Sequence, residues 1–254
     1  MDASVLPTIS SSRYTVKLAK DPVEVQAALR LRYEIFGEEL DRTPEVDQTQ
    51  RLDKDQYDDQ FYHLVVIDKE SGQVIGTYRL QTYERAANGL GFTTNFRFCL
   101  HQFPNEVLKS AMEVGRACIA REHRSGMVLY LLWKGLAAYL IYFQKRYLFG
   151  YAALDTDNPY TAHRTFDYLK QHDYLHPHIW IERREGFTQP EAWPDSDDGH
   201  SIDLPLLFQN YLNVGAQICG GPSFDDSYQL IHFLILLDMD TMAEQTKSRF
   251  LNNA

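Results

Sequence analysis

Residues 121–127 read Arg-Glu-His-Arg-Ser-Gly-Met, and an almost wholly apolar run follows to residue 143. Basic residues and a glycine at the head of a helix make an anion site. The N–H groups of the first turn have no partner inside the helix, and the backbone dipole favours negative charge there. Arg121, Arg124, Ser125 and Gly126 are the candidates for that task, and Ser125 is also expected to cap the helix. Just upstream, Glu113 and Arg116 sit on a stretch that reads as a strand. A carboxylate there can accept a proton, and the guanidinium can receive a carboxylate through two N–H groups. Other chemistries find less support. Cys118 has no His–Asp pattern near it and reads as a packing thiol. His172, His176 and His178 with Asp173 match no metal spacing, so no metal site is expected. His63 reads as a strand residue, and the SGQV at 71–74 lacks the surroundings of a phosphate-binding loop.

The remaining chain has to position these groups. It has 254 residues, 44% of them apolar, which suffices for one large core. The net charge of −10 excludes a general nucleic-acid binder, which needs a basic footprint. Three widely separated cysteines (Cys99, Cys118, Cys219) give no disulfide framework. No basic segment followed by an apolar one opens the chain, so a cytoplasmic location is expected. The run 127–143 falls short of the roughly 20 residues that span a bilayer and holds Lys134 in its middle. It is expected to be a buried helix, and peripheral contact with the inner membrane face is the membrane role left open.

Residues 1–12 are expected to be loose, 13–240 to form one α/β domain, and 241–254 a short helical tail. Strands are expected at 13–19, 61–68, 73–83, 111–120, 147–154 and 178–187, with a last one over YQLIHFLILLDM. Helices are expected from Asp21-Pro22 to about Leu40, at 127–144, from Asn158 to 173 and at 204–216, with short ones between 98 and 111. The acidic stretch 41–60 reads as a long loop, GGPSFDD (220–226) as a turn and WPDSDDGH as a loop.

This order resembles the GNAT acyltransferase fold, a mixed sheet flanked by helices. Arg121-Glu-His-Arg124-Ser-Gly126 resembles that family's Q/R-x-x-G-x-G/A loop, with Arg124 in place of the first glycine and Met127 after the second. Arg32-Tyr-Glu-Ile-Phe36 resembles the R-x-x-x-F of acyl-homoserine-lactone (autoinducer) synthases. Asp53-Lys-Asp55-Gln-Tyr-Asp58 resembles their acidic E-x-D-x-x-D box, Glu113-Val-Gly-Arg116 their E-x-x-R, and Arg79 falls where they carry an arginine. The phrases LRLRYEIFGEEL, EVGRACIAREHRSG, LLWKGLA and LPLLFQNYLNVGAQICGGPSFDD are similar to a sister group, the ornithine N-alpha-acyltransferases that make lyso-ornithine lipid.

The resemblance implies aminolysis of a thioester. Glu113, with Arg116, would take the proton of an α-amine, and main-chain N–H groups near Cys118 and Ile119 would polarise the carbonyl. Arg121, Arg124, Ser125 and Gly126 would grip the phosphopantetheine of acyl carrier protein, with no bound cofactor. Trp133 and the apolar strands would line the acyl chain. A docking patch of Arg121, His123, Arg124, Lys134, Lys145 and Arg146 would receive the acidic carrier. Arg32, Phe36, Arg79 and the acids Asp53, Asp55 and Asp58 would hold the acceptor, ornithine being favoured. An autoinducer synthase and a non-catalytic module that binds acyl carrier protein are the alternatives.

Overall fold

The computed structural model describes residues 6–42, 49–187 and 202–251. The loop read at WPDSDDGH lies outside the described residues, as do residues 43–48 of the acidic stretch. The chain divides into two compact units. One comprises Met1–Gly91, Met112–Arg146 and Glu244–Ala254; the other comprises Phe92–Ala111 and Tyr147–Ala243.

The first unit is built on antiparallel strands in the order β1 (Ile9–Ser10), β2 (Tyr14–Leu18), β3 (Tyr62–Asp68), β4 (Val74–Thr82) and β5 (Ala111–Ile119). Helix α1 (Pro22–Arg32) starts where the sequence says it should. Asp21 Oδ1 accepts the N–H groups of Val23 and Glu24 at 2.9 and 3.0 Å, and Pro22 occupies the first turn. The helix runs on as a π-helix over Tyr33–Glu39. A five-residue helix, α2 (Tyr83–Ala87), follows β4.

Helix α4 (Met127–Tyr142) packs on the opposite sheet face from α1, and its approach is close. A Cβ on Gly135 would lie 2.9 Å from both Leu64 and Val16, so a side chain there would force the helix off the sheet. The expected Ser125 cap is absent. Gly126 takes the N-cap position with φ +88°, a left-handed conformation that costs glycine nothing. On its outer side α4 meets α7 (Glu244–Leu251), whose Phe250 ring lies 5.9 Å from those of Tyr130 and Trp133. Among the described residues no helix is long and apolar enough to cross a membrane.

The second unit centres on β6 (Tyr147–Leu154), β8 (Leu230–Asp238) and β7 (Gln217–Asp225), antiparallel in that spatial order. The short α3 (Asn105–Lys109), α5 (Pro159–Gln171) and α6 (Leu206–Asn213) complete it. Two readings are corrected here. The stretch 220–226 is not a turn but most of β7. Register shifts around Gly220 absorb the Gly-Gly-Pro, so Ser223 and Phe224 still pair with His232 and Ile231. Residues 178–187 are not a strand. Their backbone bonds go to two different places, Ile181 N–H to Cys219 O and Arg184 N–H to Arg97 O, so only an isolated bridge forms between Arg183 and Phe98. A buried Arg97–Asp225 ion pair also holds this unit.

Candidate active site

The register of β3, β4 and β5 decides which side chains meet. His63 stands opposite Arg79, Gln81 opposite Glu113, and Arg79 opposite Gly115. Directly opposed residues share a face, so His63, Arg79, Gln81 and Glu113 all point to the side covered by α1. On that side α1 presents Arg32, which is 1% exposed.

The loop 52–58 supplies the counter-charges. Arg32 donates to Asp58 Oδ1 at 2.6 Å, to Asp58 Oδ2 at 3.2 Å and to Asp53 Oδ1 at 2.7 Å. Arg79 donates to Asp55 at 2.6 Å and to Asp58 at 3.1 Å. The D-x-D-x-x-D spacing explains how one short loop does this. Asp58 Oδ2 accepts the Asp55 N–H and Asp55 Oδ1 accepts the Tyr57 N–H, both at 2.8 Å, so the carboxylates fold the loop that carries them.

Arg116 is the loosest member. Its guanidinium lies 3.4 Å from Asp53 Oδ2, which receives no hydrogen bond among the described residues, and 5.4 Å from the Phe36 ring. The side chains of Arg116 and Asp55 are 28% and 30% exposed, whereas those of Arg32, Arg79, Asp53 and Asp58 are 6% exposed or less. The cluster thus shows solvent one cation and one carboxylate and keeps the others for itself.

Burial, the largest influence on Asp58, pushes its carboxyl up, but the charges of Arg32 and Arg79 outweigh it and hold it well below the usual range. Arg32 is the converse case: burial opposes its charge, and Asp53 and Asp58 outweigh burial. At His63 the balance goes the other way, and burial outweighs the charge of Asp58. The His63 Nε2 lies 3.1 Å from the Asp58 carbonyl, which can only accept, so Nε2 carries the proton, and the buried Nδ1 has no partner among the described residues. Burial, reinforced by Arg32 and Arg79, pushes His63 below its ordinary 6.5. Between those values the unfolded chain binds a proton that the folded one refuses, so stability falls as pH drops below about 6.5. Thermal melts between pH 7.5 and 5.5 should show this decline, and a His63→Gln protein should show a shallower one. Parallel curves would contradict it.

Strand β5 is bulged where the candidate chemistry lies. Arg79 pairs with Gly115 and Thr77 with Cys118, so Tyr78 alone faces both Arg116 and Ala117. Arg116 absorbs the extra residue with φ +51°, a left-handed conformation that costs an L-residue about 1–2 kcal/mol. Beyond the bulge, Ala120 N–H donates to Ile75 O, while Ile119 O turns the other way and accepts from Arg124 Nε at 3.0 Å. By strand alternation the Ile119 N–H also faces away from β4, and the Cys118 N–H faces β4. Of the two amides read as polarising groups, that of Ile119 is the one that faces away from β4. The Cys118 thiol packs on Leu31 and Ile35, and burial pushes it up to about 12, so it is no nucleophile at neutral pH.

The turn before α4 is a 3₁₀ segment, Arg121–His123, followed by Arg124. Arg124 is bound bidentately by Glu39 of the π-helix, at 2.6 and 2.8 Å. Arg121, Arg124, Ser125 and Gly126 are all exposed at this end of α4.

Residues 31–134 match the family model described as an acetyltransferase (GNAT) domain, a span that includes every candidate residue from Arg32 to Gly126. The chain is a GNAT-fold acyltransferase. It is 29% identical over 245 residues to an L-ornithine N(alpha)-acyltransferase of Rhodobacter capsulatus, covering 91% of this chain and 92% of the relative. It is also 29% identical to one from Brucella abortus, covering 99% and 91%. The acyl-homoserine-lactone synthase LasI shares the fold, with a TM-score of 0.54, 13% identity and 95% and 96% of the two chains covered.

Within this acyltransferase the expected docking patch breaks up. Lys134 is a buried residue of α4, not a surface charge, because its helix face is covered. Lys145 lies beyond the helix end, where it is bonded to Glu84 at 2.6 Å and 7% exposed. Trp133 is buried, with its ring 5.9 Å from that of Phe250. Conversely, sequence reading missed Gln60, Gln81 and Glu39. Gln81 lies two residues after Arg79 on the same strand, so period-2 alternation alone puts it on the site's face.

Proposed function

We propose that the protein moves an acyl chain from the phosphopantetheine thioester of acyl carrier protein to the α-amine of an amino acid, ornithine being favoured, giving lyso-ornithine lipid. The observation that carries this reading is a buried carboxylate, Glu113, on the same sheet face as a charge cluster that exposes one guanidinium and one carboxylate. A free α-amine has a pKa of about 8, so at neutral pH it needs a base before it can attack. Glu113 is that base, directly or through a water. Attack on the thioester carbon puts negative charge on the carbonyl oxygen, which the Ile119 N–H, on the side away from β4, receives. The thiolate leaves without a strong acid, since its own pKa is about 8.5.

In this reading Arg116 takes the acceptor's carboxylate. It is loosely held, and its fork matches a carboxylate. Asp55 takes the ammonium of the ornithine side chain. Arg32, Arg79, Asp53 and Asp58 are committed to one another and shape the pocket. The relatives named for ornithine acylation support this acceptor. Such a product is a single-chain amphiphile, so the enzyme works as a peripheral protein at a membrane surface.

Arg121, Arg124 and Gly126 hold the donor's phosphate, and Glu39 then competes with that phosphate for Arg124. Glu39→Gln is therefore expected to lower the KM for acyl donor about two- to fivefold, the worth of a partly exposed ion pair. An unchanged or higher KM would remove Arg124 from the donor site.

The reading as a whole is tested by mass spectrometry of lipids from cells expressing the wild type or Glu113→Gln. A new acyl-ornithine species that requires Glu113 is expected. A lactone in the medium, or no new lipid, would overturn it.

A further inference from the structure

We propose that Gln60 and Gln81 form an amide relay by which the backbone at Leu90–Gly91 fixes Glu113 as a hydrogen-bond acceptor, making both glutamines positioning residues for the reaction. The inference rests on the reading of Glu113 as the base.

The relay is a sequence of forced orientations. Gln60 Oε1 accepts the Leu90 N–H at 2.7 Å, and Gln60 Nε2 donates to the Gly91 carbonyl at 2.7 Å. Rotating that amide by 180° would set donor against donor at Leu90 and acceptor against acceptor at Gly91. The backbone therefore chooses the Gln60 orientation. Gln60 Nε2 also donates to Gln81 Oε1 at 2.7 Å, which pins the oxygen of the second amide. What remains of Gln81 is its NH₂ group. This donates to Glu113 Oε2 at 2.6 Å and, more weakly, to Gly91 O at 3.3 Å. Gln81 and Glu113 are cross-strand partners, 0% and 1% exposed, so water does not replace this contact.

The chemical consequence is specific. A donor aimed at a carboxylate favours its charged form and fixes its plane. An amide carbonyl in the same place would do the reverse, and a glutamine side chain presents both groups with the same shape. Without Gln60, Gln81 loses the partner that pins its oxygen, and its NH₂ group is held toward Glu113 only by that carboxylate and the weak Gly91 contact. Gln60 touches neither Glu113 nor, in this reading, the substrate. It acts through Gln81.

The substitution that reads this out is Gln60→Glu. One oxygen of the new carboxylate still accepts the Leu90 N–H, and the other faces Gln81. Two carboxylates then compete for the one Gln81 NH₂ group, so Glu113 loses its exclusive hold on that donor. Gln81→Met removes the donor with little change of volume and guards against a folding failure of the first variant, as the first guards against failure of the second. Steady-state rates of amide formation are measured from pH 6 to 9, with palmitoyl-acyl carrier protein and ornithine as substrates and Glu113→Gln as the reference.

Both variants are expected to lose about tenfold or more in kcat at neutral pH, the scale of one hydrogen bond to a charged group. The KM values should stay near wild type. No loss of kcat, or a loss carried by the KM values instead, with Glu113→Gln inactive, overturns the relay while leaving the base in place. A fully active Glu113→Gln overturns the base itself, and the relay with it.

Discussion

Glu113→Gln is expected to lower kcat by about 10²- to 10⁴-fold, the range that a positioned general base contributes. The KM values for donor and acceptor should change little, and so should the melting temperature. The substitution is isosteric, and its amide oxygen can still accept from Gln81 Nε2, now 2.6 Å from Glu113 Oε2. What it lacks is the capacity to take a proton from the ammonium of the acceptor. Activity should therefore stay low at neutral pH and recover in part at high pH, where the free amine is abundant without a base. Retention of more than a tenth of wild-type turnover at pH 7 would place the base elsewhere. A general loss of folded protein would show instead that the buried carboxylate is structural.

Asp58→Ala is expected to have the largest effect on stability. Asp58 accepts from both Arg32 and Arg79 and closes its own loop through the Asp55 N–H. Removing it leaves two guanidinium groups, 1% and 6% exposed, sharing only Asp53 and Asp55. Breaking a buried pair from one side costs about 3–5 kcal/mol, because the stranded charge is neither hydrated nor paired. For a chain of this size that lowers Tm by about 10 °C or more. Replacing Arg13, whose side chain is 54% exposed beside Asp68, should barely move it. A Tm within about 2 °C of wild type for Asp58→Ala would mean that water reaches the arginines and that the cluster is far less closed than described.

Much of this site was legible in the sequence, for physical reasons that differ by residue. Arg32 was placed by its resemblance to an R-x-x-x-F motif, and its burial beside Ala28 and Leu29 on α1 supplies the physical reason, since a charge there demands partners. The Asp53-x-Asp55-x-x-Asp58 box was singled out in the same way, and the turn bonds of Asp55 and Asp58 show why that spacing builds a loop. Gly126 at the head of an apolar run marked the helix start, although the glycine itself took the cap position read for Ser125.

Long-range geometry was not legible. Gln81 matters only because the register sets it opposite Glu113, and Gln60 only because a turn 30 residues later presents an N–H and a C=O to it. Uncharged amides at ordinary spacing give no sign of such partners. Lys134 and Lys145 looked like a surface pair because helical facing was extended past Tyr142, where the helix ends. Gly220–Pro222 looked like a turn because local propensity favours one. Pairing with β8 overrode it, with Asp225 opposite Leu230 and Ile218 opposite Ile235.

The most direct test of the central claim is a transfer assay with purified protein, acyl chain labelled on acyl carrier protein, and a panel of amino acids. The account predicts a labelled amide on the α-nitrogen of ornithine. Norvaline, which lacks the side-chain ammonium that Asp55 would hold, should be acylated more weakly, and the ornithine product should vanish with Glu113→Gln. Label remaining on the carrier with every acceptor, or the same product with Glu113→Gln, would contradict it.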